Sequence, residues 1–239
     1  MKQVDVLAIC AHPDDSELIC GGTLARSVAL GRSAGIIAVT GGELGSRGSV
    51  DLRAQESEAA AKVLGLSFHE TLGLPDGAVL NTPETRAKLA VLIRRAKPSV
   101  VITHWLKGRH PDHAVTAQLV RDACFVAGLK NIEADVPPHR PRKILHALSF
   151  REDNEKPTFV VDISESFEKK LEAVRCYASQ FSDVKQAGEI FPNGESLFEL
   201  IRHHAAHYGS LIRTQYGEPF HTNETMRVDD VTALEVSSL

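Results

Sequence analysis

Two histidine-carboxylate clusters stand far apart in this chain, His12-Pro13-Asp14-Asp15 and His110-Pro111-Asp112-His113. Imidazole nitrogen and carboxylate oxygen suit zinc, and a catalytic zinc keeps three protein ligands and one position for water. His12, Asp15 and His113 are the expected ligands. Water on such a zinc has a pKa of about 7, yet a base must still collect its proton. Asp14 adjoins Asp15 and is placed for that task. His110, three residues before His113, is expected to donate to the oxyanion formed when hydroxide attacks a carbonyl. Asp112 should cap the following helix or orient a ligand histidine. Either cluster alone reads as an ordinary turn, since proline fixes φ and aspartate caps helices. Their joint placement is what favours metal hydrolysis.

That placement depends on the elements before each cluster. The first follows the apolar run over residues 4–11 and the second follows residues 100–104, both read as strands. In an open α/β sheet, ligands bind beyond the carboxyl ends of the strands, so both clusters should face one crevice. Helices are expected over residues 16–30, 51–64, about 82–96 and 112–127, with a further strand over 35–40. Gly31, Gly65 and Gly128 close three of these helices, and Thr82-Pro83 supplies an N-cap and a first-turn proline. Alternation of this kind implies a Rossmann-like α/β fold, a mostly parallel sheet with helices on both faces.

After Gly128 the pattern changes. The proline-rich run over residues 136–141 leads to strand-like segments over 145–150 and 159–163, then to helical periodicity from Phe167 and again over 196–208. One domain is expected, with a core over residues 1–128, a smaller α/β extension over 129–220 that completes the site, and a tail over 221–239. Residues 180–194 read as a mobile loop, a candidate lid.

The 27 basic and 31 acidic residues give a formal charge of −4, with no block of like charge that would make a nucleic-acid footprint. Partners should be small molecules. Cys10, Cys20, Cys124 and Cys176 form no C-x-x-C, so neither a structural zinc site nor a disulfide framework is signalled. No run approaches the roughly 18 apolar residues of a membrane span, and the N-terminus lacks signal-peptide character. A cytoplasmic protein is the expectation. Gly21-Gly22 suggests dinucleotide binding only weakly, because His12-Pro13-Asp14-Asp15 stands where a G-x-G-x-x-G would be. There is no G-x-S-x-G elbow.

The run Ala11-His12-Pro13-Asp14-Asp15-Ser16-Glu17, taken with His110-Pro111-Asp112-His113, resembles the zinc-dependent LmbE-like, or PIG-L-type, N-deacetylases. Residues 40–48, Arg53 with Glu56, and residues 72–77, 159–164 and 208–212 resemble the bacillithiol-biosynthesis branch, which hydrolyses N-acetylglucosaminyl malate. The resemblance covers about residues 1–220. It implies His12, Asp15 and His113 as Zn2+ ligands, Asp14 as general base, His110 as the group that stabilises the transition state, and a hexameric homo-oligomer. It also implies that Arg53 lies near an acetylated amino-sugar substrate. Arginine grips a carboxylate with two parallel hydrogen bonds, and malate offers two carboxylates, so Arg109 and Arg47 are further candidates. Rival expectations are a chito-oligosaccharide deacetylase, a thiol-conjugate amidase, or a non-catalytic metal- or sugar-binding module.

Overall fold

Strand β1 (Val6–Cys10) is buried from Leu7 onward, because side chains of both parities find apolar cover. Leu7 and Ile9 face one helical layer while Ala8 and Cys10 face the other. In the computed structural model, which describes residues 1–132, 134–149, 155–182 and 196–236, the chain continues through α1 (Asp15–Ala29), β2 (Ala34–Thr40), α2 (Val50–Leu64), β3 (His69–Leu74), α3 (Pro83–Ala96), β4 (Val100–His104) and α4 (Pro111–Ala127). It then forms β5 (Lys143–Ala147), β6 (Phe159–Asp162), a 3-10 turn (Ser164–Ser166), α5 (Phe167–Arg175), α6 (Ala178–Phe181), α7 (Leu197–Leu211) and β7 (Gly217–His221).

The strands form one seven-stranded sheet in the order β3-β2-β1-β4-β5-β7-β6. Strands β1 to β5 are parallel, and β7 runs antiparallel to both its neighbours, β5 and β6. The order reverses between β1 and β4, which opens a crevice beyond their carboxyl ends. Leu89 and Ile93 of α3 pack with Leu119, Val120 and Ala123 of α4 on the Leu7 face, and Ile19, Cys20 and Leu24 of α1 cover the Ala8 face. The expected α/β fold, mostly parallel with helices on both faces, is therefore present. The Thr82 cap is also as expected: its hydroxyl accepts from the Thr85 amide at 3.3 Å and its own amide donates to Thr85 Oγ1 at 2.9 Å.

Two strands were not foreseen. Strand β3 carries His69, Glu70, Thr71 and Gly73 and lies at a sheet edge, so it lacks the apolar run of its neighbours. Strand β7 contains Pro219, which cannot donate to a ladder and argues against an interior strand, yet Pro219 pairs with Val160 of β6. The parallel sheet also continues past residue 128, since β5 joins β4 in unbroken register from Val100 with Lys143 to His104 with Ala147. The expected mobile loop lies outside the described residues from 183 onward.

A buried clamp ties the late strands to α1. Glu218 of β7 accepts from the amides of Gly22 and Thr23 at 2.9 and 2.7 Å, from the Thr23 hydroxyl at 2.6 Å, and from Lys170 Nζ at 2.6 Å. A Cβ at Gly22 would stand 2.8 Å from the Ile163 side chain, so glycine here serves close packing of α1 on the extension. This accounts for the Gly21-Gly22 pair without a nucleotide.

Candidate metal centre

The turn from β1 into α1 carries the first cluster. The amide of Ala11 donates to His104 Nε2 at 2.9 Å, and the amide of His12 donates to Asp15 Oδ2 at 2.8 Å. Asp14 occupies the N-cap position with φ 98° and ψ −29° and makes no capping bond with its side chain. A positive φ in a residue other than glycine costs of order 1–3 kcal/mol and persists only where its surroundings impose it. Arg53 is part of those surroundings. Its Nη2 lies 3.2 Å from Asp14 Oδ2 and 3.5 Å from the Pro13 carbonyl, and Nη1 donates to the Gly42 carbonyl at 2.9 Å.

The second cluster opens α4. His110, not Asp112, is the N-cap: its Nδ1 accepts from the Asp112 amide at 3.2 Å. A neutral imidazole that accepts at Nδ1 carries its proton on Nε2, so His110 offers a donor beside the rings of His12 and His113, each 4.8 Å away between centroids. The Asp112 carboxylate instead accepts from the amides of Gly77 at 2.8 Å and Val79 at 3.3 Å and lies 3.3 Å from His12 Nε2. Of the two expectations for Asp112, histidine orientation holds and capping is corrected.

His12 Nδ1, Asp15 and His113 Nε2 converge. The separations are 3.1 Å from His12 Nδ1 to Asp15 Oδ2, 3.3 Å from His113 Nε2 to His12 Nδ1, and 3.3 Å from His113 Nε2 to Asp15 Oδ1. Ligands about 2.0–2.1 Å from a tetrahedral zinc lie about 3.3–3.4 Å from one another, so this donor set fits one ion. Asp112 and Asp76, the latter 3.1 Å away, both face His12 Nε2, which leaves Nδ1 free to ligate. His12, His110 and Asp112 form a second geometric group. The first set is the better site, because Asp112 is committed to two amides and His110 Nδ1 to a third.

The electrostatics follow from the crowding. Burial opposes charge on Asp15, but the neighbouring His113 holds its carboxyl well below the usual range. Burial and then the charge of Asp15 push Asp14 up to about 7, against the pull of Arg53. Burial alone would depress His12, yet its hydrogen bond to Asp15 and the charges of Asp15, Asp76 and Asp14 raise it to about 9. His104 is held neutral by burial, at about 4, and its ring stacks on His113 with centroids 4.0 Å apart and planes within 8°. Its Nε2 also lies 3.3 Å from Asp15 Oδ2. Since that nitrogen accepts from Ala11, the close approach to Asp15 is a contact between two acceptors and not an ion pair.

A cleft of about 170 Å³ opens over these groups, lined by Asp15, Leu18, Ile19, Arg109, His110, His113 and Ser149. The structure thus brings together His12, Asp14, Asp15, His110 and His113, with Arg109 at the rim. Arg53, expected near the substrate, is buried with its guanidinium 3.2 Å from the Asp14 carboxylate. Arg47 does not line the cleft; it exchanges hydrogen bonds with Gln180 near α6. Sequence reasoning gave no role to His104 or Asp76. His104 ends a strand that points at the crevice, a position that could have flagged it, whereas Asp76 reaches His12 only through the loop after β3.

The family profile described as PIG-L: GlcNAc-PI de-N-acetylase matches residues 7–124. A diacetylchitobiose deacetylase of Thermococcus kodakarensis is 31% identical over 229 residues, covering 89% of this chain and 80% of that protein. The chain belongs to the PIG-L, or LmbE-like, deacetylase family. A conserved protein of Thermus thermophilus, TT1542, superposes with a TM-score of 0.85 at 36% identity, covering 95% of this chain and 98% of its own. A probable N-acetyl-α-D-glucosaminyl L-malate deacetylase of Bacillus anthracis is 27% identical over 194 residues, 74% of this chain and 81% of that protein. The matched residues 7–124 contain both histidine-carboxylate clusters and the two strands that aim them.

Proposed function

We propose that this protein is a zinc-dependent hydrolase that removes the N-acetyl group from an N-acetylglucosamine-type sugar, with N-acetylglucosaminyl malate as preferred substrate. One observation carries the reading: Asp14, buried and held by Arg53, stands beside a complete His12, Asp15 and His113 donor set. A module that only binds metal needs no extra base in strained backbone.

Zinc held by His12, Asp15 and His113 would polarise the amide carbonyl and make hydroxide available near neutral pH. Asp14 accepts the proton of the attacking water, and Arg53 beside it holds the carboxylate in place for that transfer. His110 directs its Nε2 hydrogen at the oxyanion that develops on the former carbonyl. The leaving amine must be protonated to depart, and protonated Asp14 or His110 is the available acid. Leu18 and Ile19 give the cleft an apolar wall that suits an acetyl methyl group.

The malate preference is supported by Arg109, an exposed cation at the cleft mouth that could take an aglycone carboxylate. The Thermococcus relative favours a second reading, in which a disaccharide such as diacetylchitobiose fills the cleft. The same reading carries a hexameric assembly, which light scattering measures directly, and a reducing cytoplasm, consistent with four free cysteines. Among the described residues no helix is long and apolar enough to cross a membrane.

The test is acetate or free-amine release by zinc-loaded protein from N-acetylglucosaminyl malate, diacetylchitobiose and N-acetylglucosamine in parallel. Preference for the malate glycoside, lost in Arg109→Ala, supports the full reading. Activity mainly on the disaccharide keeps the reaction and removes the malate assignment. No metal-dependent release from any of the three refutes the deacetylase reading.

A further inference from the structure

At the other end of α4 from His110, four cations surround a second concavity. Arg121 of α4, Arg140 and Arg142 of the segment before β5, and Lys143 at its start line a pocket of about 250 Å³, and Glu224 is its one acidic wall. The pocket lies at the amino ends of the strands, opposite the metal crevice. Several surface arginines elsewhere find acids: Arg86 meets Asp122 at 3.2 Å, Arg95 meets Asp135 at 2.9 Å, and Arg227 meets Asp229 at 2.7 Å. Among the described residues, none of the four pocket cations has an ion pair, although the whole chain is acidic by four charges.

Arg140 is also fixed in place. Its guanidinium carbon lies 4.8 Å from the centroid of the exposed Phe125 ring, and its Nη2 donates to the Phe125 carbonyl at 3.3 Å. A Cβ at Gly128 would collide with that guanidinium, so the chain leaves room for it. Like charges gathered in one concavity repel, and a multiply charged anion relieves the repulsion while accepting bidentate hydrogen bonds from arginine.

We infer that the pocket formed by Arg121, Arg140, Arg142 and Lys143 binds a small, multiply charged oxyanion, a phosphorylated or polycarboxylate metabolite, at a site separate from the metal centre. Fructose 1,6-bisphosphate and tricarballylate are suitable probes, because both carry several charges and chelate zinc weakly; acetate is the single-charge control. Each is titrated calorimetrically into the zinc-loaded full chain at low and moderate salt, and the probe that binds identifies phosphate or carboxylate as the preferred group. Binding should weaken with salt. It should fall about tenfold or more in the double variant Arg142→Gln, Lys143→Gln, as loss of charge-assisted hydrogen bonds implies.

Gly128→Ala is the stricter test. Its φ of −84° accommodates alanine, so all four charges remain while Arg140 is displaced, and a several-fold loss of binding is expected. Zinc content, thermal midpoint and deacetylation of the basal substrate should be unchanged in both variants. Failure of both probes to bind, or binding that survives either variant, overturns the inference. Binding only of a peptide spanning residues 224–236 would also overturn it, assigning the pocket to the acidic tail of another copy. Because the readout is calorimetric, the result is independent of which substrate the metal centre hydrolyses.

Discussion

Replacing Asp112 by asparagine removes a charge and almost no volume from the group that faces His12. In the native arrangement Oδ2 accepts from the Gly77 amide at 2.8 Å and faces His12 Nε2 at 3.3 Å, while Oδ1 accepts from the Val79 amide at 3.3 Å. Asparagine has one acceptor oxygen and one donor group. With its oxygen toward Gly77 and His12, its NH2 meets the Val79 amide, donor against donor. Turned over, its NH2 meets Gly77 and favours a deprotonated His12 Nε2, which moves the ring proton to Nδ1 and blocks the ligand lone pair. Loss of a carboxylate behind a metal-bound histidine typically costs 10–100-fold in affinity, or about 1.4–2.7 kcal/mol. Asp76 remains 3.1 Å from the same nitrogen, so the low end, about tenfold, is expected for Asp112→Asn alone. The Asp76→Asn, Asp112→Asn double variant should approach a hundredfold. The unpaired donor should also lower stability of the metal-free protein by about 1–3 kcal/mol. Zinc competition with a chromogenic chelator measures the first effect, and guanidinium titration the second. Native zinc affinity in the double variant would refute the claim that carboxylates behind His12 tune this site.

Asp14→Asn should keep zinc affinity within a few-fold and lose about 10²–10⁴ in turnover, checked by metal analysis and kcat at saturating zinc. His110→Ala should lose about 10²–10³ in kcat with KM little changed, as removal of one oxyanion donor does; an equal rise in KM would contradict that role. His69 has a side chain only 3% exposed, and burial lowers it from 6.5 to about 4. The unfolded chain therefore takes up a proton below pH 6.5 that the folded chain refuses. The stability His69 contributes is complete above that pH and lost as pH falls toward 4, by up to about 1.4 kcal/mol per pH unit. Denaturant melts of His69→Leu should show a correspondingly shallower acid slope. Lys170→Met should destabilise by about 3 kcal/mol, since it strands the Glu218 carboxylate in a site where both partners are at most 4% exposed, whereas a paired apolar replacement should be far milder.

The convergence of His12, Asp14, Asp15, His110 and His113 was legible because each is a distinctive residue type between a strand and the start of the next helix, where topology aims it into the crevice. Their supports were legible only in part. Asp112 could be expected to orient a histidine, but Asp76 joins it at His12 only because the loop after β3 lies against the start of α4, a contact that no spacing encodes. Arg53 could be placed near the site but not oriented, since a helix register does not say whether a long guanidinium faces the open cleft or Asp14. Strand β7 was hidden by Pro219, whose missing donor matters less here than the buried Glu218 beside it, which anchors the strand on α1.

The positions of the two clusters also share an electrostatic logic. Asp14 and Asp15 begin α1, and His110 and His113 begin α4, so both helices turn their amino ends toward one point. Each amino end carries roughly half a positive charge, which stabilises carboxylates and a developing oxyanion and disfavours imidazolium. That field helps Asp15 remain ionised, reinforces the effect of burial in lowering His110, and acts against the carboxylates that raise His12. His110 thus stays neutral with its proton on Nε2, where it can donate without first losing a charge. Placing the same residues at helix carboxyl ends would preserve every ligand type and reverse each of these effects. The crevice at the amino ends of α1 and α4 is therefore part of the chemistry as well as a place to hold it.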